Sequence, residues 1–352
     1  MRDKALEEDL KAICSDPAVP VDKLAGRKIL VTGATGLIGS NLVKLLLTIN
    51  RKKKQHGKIL ALVRNREKSE KIYAEWLNDE NLCLIQGDIR EDWSEFFSDM
   101  TPEFIFHTAS VTASKYMVDY PVETIDTIVN GTSQMLRFAK EVQCKGVVFL
   151  SSMEVYGTSD LPEVREENIG YVNPLSVRSD YPESKKLCEN LCVAYSREYG
   201  IPVKIARLAQ VFGAGVLPGE SRVFAQFARS VINGTDIILH TQGRSEGNYC
   251  YLGDALSALL ILMIRGKSGE AYNIANEENH TTIAAMAEIV AKQIAGGKIR
   301  VVYDIPDINQ NGYAPDVKLK LNADKMRSLG WKPKVNLRES YERMIISMQA
   351  AC

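Results

Sequence analysis

Tyr181 and Lys185 stand four residues apart in Y-P-E-S-K-K, a spacing that puts both side chains on one face of a helix. A phenol titrates near pH ~10 and is a poor base at neutrality. A neighbouring ammonium favours the phenolate, which can then take the proton of an alcohol as hydride leaves the same carbon. Upstream, V-V-F-L-S-S-M-E-V-Y-G places Ser152 just past an apolar run at 147–150. Its hydroxyl can hydrogen-bond the reacting oxygen and hold its geometry. Glu154, two residues on, supplies a carboxylate for a further proton transfer. Ser152, Glu154, Tyr181 and Lys185 are the expected catalytic set.

These groups need a scaffold, and the chain supplies an alternation of short apolar runs and helical patterns. Residues 28–32 read as a buried strand and 37–47 have helical apolar spacing, with Gly33, Gly36 and Gly39 between and into them. Such a turn requires residues without side chains where backbone must twist or approach a phosphate. The helix that follows directs its free N–H groups at a pyrophosphate. Placed between strand and helix, G-x-x-G-x-x-G marks a dinucleotide site. Further strands are expected at 58–63, 82–86, 104–107, 147–150 and 201–208, a helix from Pro121, a strand at 271–274 and a helix over 282–294. The fold class expected is α/β: a Rossmann-like doubly wound parallel sheet.

At this point the sequence resembles the short-chain dehydrogenase/reductase superfamily, in its extended, nucleotide-sugar-modifying branch. The resemblance covers nearly everything after about residue 26. It implies cofactor contacts from Gly33, Thr35, Gly36, Leu37, Ile38 and Gly39, from Arg64, from Asp88 and Ile89 at the adenine, and from Thr108, Ala109 and Ser110. Tyr181 and Lys185 complete that set, Lys185 also reaching the nicotinamide ribose. Arg64-Asn65-Arg66 follows the second strand where an acid would bind a ribose 2′-hydroxyl, so the cofactor is NAD or NADP with a lean to NADP. His107 ends the fourth strand under the cofactor and reads as a structural histidine.

The resemblance also frames the substrate side. Residues 1–26 are an N-terminal extension whose Leu6, Leu10 and Ile13 share a helical face. Residues 27–208 form the dinucleotide-binding domain. Residues 209–352 form mostly a smaller, interleaved substrate domain, with a strand and helix returning to the main sheet. Gln210 stands where relatives carry Asn, and Phe212 where they carry Tyr. Ser152, Gln210, Arg222 and Arg244 are expected substrate contacts, the arginines because a guanidinium pairs two phosphate oxygens at once. An acid at Glu154 resembles dehydratases and decarboxylases, whereas simple 4-epimerases carry small or neutral residues there. Met153 replaces the Asp of dTDP-glucose dehydratases. The stretch 172–186 looks like the decarboxylase pattern, while N-G-Y-A-P-D-V-K lacks the arginine of the decarboxylases' R-x-P-D element.

The implied activity is oxidation of a nucleotide-diphosphate sugar at C4, followed by dehydration, decarboxylation or epimerisation. Alternatives are a simple 4-epimerase, an NADPH-dependent carbonyl reductase, or a non-catalytic cofactor sensor. The formal net charge of zero over 352 residues argues against nucleic acid or a membrane surface as partner. The longest apolar run, 255–264, is too short to span a bilayer, and residues 1–10 lack a signal-peptide core. Seven cysteines without a C-x-x-C pair read as reduced thiols of a cytoplasmic protein, with no metal site. The basic run 51–54 is expected in a solvated helix-to-strand turn. The resemblance implies a homodimer through helices near Pro121 and Tyr181.

Overall fold

The computed structural model describes residues 3–93, 96–97, 100–217, 219–305 and 316–350. The anticipated apolar runs form β1 (Ile29–Thr32), β2 (Ile59–Val63), β3 (Leu82–Gln86), β4 (Phe104–His107), β5 (Gly146–Ser152) and β6 (Val203–Leu208). Then come β7 (Gln210–Phe212), β8 (Ile237–Leu239), β9 (Glu246–Tyr251), β10 (Ala271–Ile274), β11 (His280–Thr282) and β12 (Val301–Tyr303). Seven strands make one sheet in the order β10-β6-β5-β4-β1-β2-β3. Every pairing in it is parallel. Helices cover both faces of such a sheet, which is why its strands read as unbroken apolar runs. This is the Rossmann-like doubly wound fold.

On one face the helices Leu37–Lys53 and Leu252–Arg265 share a core with Ile29 and Val31. On the other, Pro121–Glu141 and Asp180–Tyr199 pack over Leu30 and Val147. Pro121 opens its helix at a position where its missing N–H costs nothing. The strand order reverses between β1 and β4, and ligands of open α/β sheets bind at the carboxyl ends there. Thr32 pairs in register with His107, and His107 with Phe149. The chain tips leading to Gly33, Thr108 and Ser152 therefore share one edge.

After β6 the chain divides its work. β10 returns beside β6 in the main sheet. β7, β9 and β11 form a small separate sheet, and β8 pairs with β12. A second core fills this part, with the Phe212 ring 5.0 Å from both Phe224 and Tyr341. The N-terminal helix Lys4–Ser15 lies across the seam and buries Leu6, Leu10 and Ile13. Its Asp9 pairs with Arg343 at 2.6 Å and accepts from the Tyr251 hydroxyl.

Two expectations change. Arg51, Lys52 and Lys53 are not a turn but the last turn of the Leu37–Lys53 helix, with Lys54 as its left-handed cap. Cations there complement the negative end of the helix dipole. The helix expected over 282–294 is an α segment, Ile283–Ile289, that widens into a π turn, Val290–Ile294.

Candidate active site

The glycine turn is built for a backbone approach. Gly33 has φ +61°, and a Cβ on it would sit 2.6 Å from the Ala109 Cα. A Cβ on Gly39 would collide with the Gly33 carbonyl oxygen and lie 2.6 Å from Thr108 Oγ1. The Leu37–Lys53 helix starts at Gly36 with no side-chain cap, so first-turn N–H groups of Leu37 and Ile38 lack a capping acceptor. Gly36 is exposed, and Thr35, Leu37 and Ile38 are partly exposed around it. Uncapped amides over a turn with glycine at 33 and 36 fit the pyrophosphate of a dinucleotide. From below, the Tyr73 hydroxyl donates to the Ala34 carbonyl and steadies the turn.

The remaining cofactor candidates are placed less uniformly. Arg64 is exposed beyond β2 and makes no hydrogen bond among the described residues. Asp88 lies beyond β3, but Arg90 already holds its carboxylate with two bonds of 2.9 Å. That guanidinium keeps the Asp88 carboxyl below its usual range. Ile89 is buried against Gly131 rather than open. Thr108 donates its hydroxyl to Thr32 O at 2.6 Å, and the Ala109 amide donates to Thr32 Oγ1 at 3.2 Å. These bonds tie the tips of β4 and β1 together. His107 is wholly buried, 3.0 Å from Thr32 Oγ1. Burial lowers its pKa to about 3, so it stays neutral and bridges elements.

β5 ends with Ser151 and Ser152, whose side chains diverge as a strand requires. Ser152 Oγ accepts from the Glu154 amide at 3.2 Å, capping the turn Met153–Tyr156. The Tyr181 phenol is 7% exposed, and the nearby Ser152 and Ser110 hydroxyls act to lower its pKa. Burial, with the Glu154 carboxylate adding to it, raises its pKa to about 12. Lys185 Nζ donates to Leu150 O at 2.8 Å and lies 5.8 Å from the Tyr181 ring centre. Burial brings its ammonium down to about 8. Desolvation thus sets the phenol in the protein alone, in place of the lowering by Lys185 that the spacing led one to expect.

Two arrangements were not anticipated. Arg178, three residues before Tyr181, pairs with Glu154 at 3.2 Å. Burial nonetheless raises the Glu154 pKa, the Arg178 charge opposing the rise and Asp180 adding to it. The arginine was visible within the decarboxylase-like stretch. Its partner was not, because the polar connection between them has no readable period. Beneath the site, Ser151 donates to Glu189 at 2.6 Å, and Arg207 clasps the same carboxylate at 2.7 and 2.9 Å. Arg207 also donates to the Tyr156 hydroxyl at 3.0 Å. Glu189 lies four residues after Lys185, so the helical face of the tyrosine and lysine carried that signal.

On the substrate side, Gln210 opens β7, partly exposed. Arg222 caps the Val223–Asn233 helix and is held by Glu220 at 2.7 Å, so it is not a free phosphate ligand as it stands. Arg244 is exposed and lines a cavity of about 330 Å³ with Glu246, Thr282 and Lys318. β9 brings this cavity towards the reacting groups: a Cβ on Gly247 would be 3.4 Å from the Met153 methyl. Residues 311–315 of N-G-Y-A-P-D-V-K lie outside the described residues. The described cysteines are free thiols. No described helix is long and apolar enough to cross a membrane.

The chain is similar to known proteins along most of its length. It is 30% identical over 318 residues to UDP-glucuronic acid decarboxylase 6 of Arabidopsis thaliana, covering 90% of this chain and 87% of that protein. UDP-glucose 4-epimerase of Thermotoga maritima, solved with UDP-glucose, superposes with a TM-score of 0.78 at 25% identity, covering 92% of this chain and 99% of that one. UDP-glucuronic acid 4-epimerase of Bacillus cereus, solved with UDP-glucuronic acid and NAD, shares the fold with a TM-score of 0.77 at 20% identity over 92% of this chain and 100% of that one. Residues 29–275 match the NAD dependent epimerase/dehydratase family. With the glycine cradle and the serine, tyrosine and lysine on one sheet edge, this match shows that the chain belongs to that family.

Proposed function

We propose that the protein is an NAD-dependent decarboxylase of a nucleotide-linked uronic acid, working through oxidation at C4. When bound, NAD accepts the C4 hydride and later returns it. Tyr181 takes the O4 proton, Ser152 holds that oxygen, and Lys185 anchors the nicotinamide ribose. A C4 ketone makes the C6 carboxylate that of a β-keto acid. The C5–C6 bond breaks, carbon dioxide leaves, and the electron pair passes to O4 as an enolate. Tyr181 and Ser152 donate hydrogen bonds to that oxygen, and Glu154 delivers a proton to C5.

The observation that carries this reading is the Glu154 carboxyl, paired with Arg178 at 3.2 Å, its pKa raised by burial and its charge raising that of the Tyr181 phenol. A raised pKa shifts Glu154 towards the protonated form, the direction a general acid needs. Dehydration is less well served, because Met153 offers no acid to a departing hydroxyl. The similarity to UDP-glucuronic acid decarboxylase 6 along 90% of the chain supports the choice. Residues beyond β6, apart from β10 and the Leu252–Arg265 helix, are proposed to hold the sugar nucleotide, with Arg244 at its phosphates. Exposed Arg64 leaves NADP usable beside NAD. A homodimer in the cytoplasm is proposed from exposed Val122, Ile125 and Leu187 on the two long helices and from the free thiols.

The test is a panel of UDP-, dTDP-, CDP- and GDP-sugars with NAD, followed by mass spectrometry. Loss of carbon dioxide from a uronic acid is expected. In Glu154→Gln, reduced cofactor should still accumulate while decarboxylation falls by about 100-fold or more, the scale of general-acid catalysis. Unchanged mass with every uronic acid, or full activity in the variant, would refute the proposal.

A further inference from the structure

Arg178 has more donors than the protein satisfies. Its Nη2 reaches Glu154 Oε2 at 3.2 Å and Oε1 at 3.5 Å. Its Nη1 is buried and has no hydrogen-bond partner among the described residues. A buried donor left unpaired costs about 1–3 kcal/mol, so few folded proteins keep one without use. Across the same site, Asp180 Oδ2 is a buried acceptor in the same condition. Asp180 Oδ1 is already engaged, accepting from the Tyr181 amide at 2.7 Å. Both orphaned atoms belong to residues within three positions of Tyr181, the residue that reacts with the sugar.

The chemistry of these atoms limits what fits. A guanidinium nitrogen that faces inward beside a carboxylate seeks an anionic oxygen, and guanidinium–carboxylate pairing is strong and directional. In a sugar oriented with O4 on the Tyr181 phenol, the groups next along the ring are C5 and its C6 substituent. We propose that Arg178 is the specificity residue that recognises the C6 carboxylate of the substrate through Nη1 while Nη2 keeps hold of Glu154. This rests on the uronic acid reading above and assigns the residue that makes it selective.

One guanidinium then bridges the departing carboxylate and the acid that replaces it on C5. Glu154, Asp180 and a substrate carboxylate around a single arginine would carry excess negative charge if all three were ionised. The pKa values of Glu154 and Asp180 are both raised, the direction that lessens this excess, and a proton taken up by Glu154 is the one the reaction needs. A neutral hexose offers Nη1 only an uncharged hydroxyl acceptor, weaker than a carboxylate. Its hydroxymethyl group would leave the guanidinium underused, which is how buried polar groups discriminate against a ligand lacking the matching group.

The test compares calorimetric binding of UDP-glucuronate and UDP-glucose to the NAD-loaded protein, in wild type, Arg178→Gln and Arg178→Lys, each carrying Tyr181→Phe so that the uronate is not turned over. Thermal melting serves as the check on folding. Wild type should prefer the uronate. Arg178→Gln should weaken uronate binding by about 10- to 100-fold, the factor for one charged hydrogen-bonded pair, and leave UDP-glucose within about threefold. Arg178→Lys should recover part of the preference, having the charge without the fork. If Arg178→Gln weakens both ligands alike, or neither, Arg178 is not the recognition residue even though the uronate reading stands. If wild type itself shows no preference, the uronate reading fails and this inference fails with it.

Discussion

At the residue scale, the site stores its reactivity as misplaced protons. Lys185 is 2% exposed, and burial brings its pKa from 10.5 to about 8. A base with a lowered folded pKa destabilises the fold while charged, in full below pH ~8, and that penalty vanishes as pH rises to the unfolded value. We predict that wild type gains about 3 kcal/mol relative to Lys185→Met between pH ~8 and ~10.5, at 1.36 kcal/mol per unit. Urea unfolding of both proteins across that range measures it. A flat difference would mean the ammonium is not desolvated. Tyr181 and Lys185 were legible in the sequence because four residues on a helix is a local relation. Glu154 and Arg178 were legible only singly: their meeting depends on the path of residues 157–177, which no periodicity encodes. The engagement of Asp88 by Arg90 was hidden differently, since Arg90 stands two residues away and competes with the adenine expected there.

At the element scale, the main sheet was legible because buried parallel strands are short apolar runs closed by turn residues. All of β1 to β6 and β10 fell within two residues of the expected ranges. The small β7–β9–β11 sheet was not, because β7 and β11 have only three residues each, too few positions for a pattern to emerge. The Lys4–Ser15 helix was visible as an amphipathic face, but not what it covers. It joins Asp9 to Arg343 and Tyr251, and Asp16 reaches Lys334 at 2.6 Å. Leu10, 3% exposed at its centre, packs into this seam. Leu10→Ala should cost about 2–5 kcal/mol, as buried leucines do. Chemical denaturation reads this directly, and a change below about 0.5 kcal/mol would show the helix to be a loose appendage.

At the scale of the whole molecule, the apolar surface is uneven. Val122 is 72% exposed and Ile125 44%, while Leu187 is 49% and Val193 39% exposed on the neighbouring long helix. Apolar residues gathered on adjacent helices mark an association face. Sedimentation equilibrium should give a dimer, and Val122→Glu with Leu187→Glu should shift it to monomer without loss of the fold. A wild-type monomer at micromolar concentration would contradict that expectation. The wider claim is that one sheet edge gathers the cradle, the proton-transferring tyrosine and the acid, so that a sugar is oxidised and reduced again at the same carbon. The most direct measurement uses UDP-glucuronate deuterated at C4, with the product followed by mass spectrometry and NMR. We predict loss of carbon dioxide with the deuterium retained at C4, and no turnover in Tyr181→Phe. Washout of the label to solvent, or turnover surviving in Tyr181→Phe, would contradict hydride exchange at that carbon.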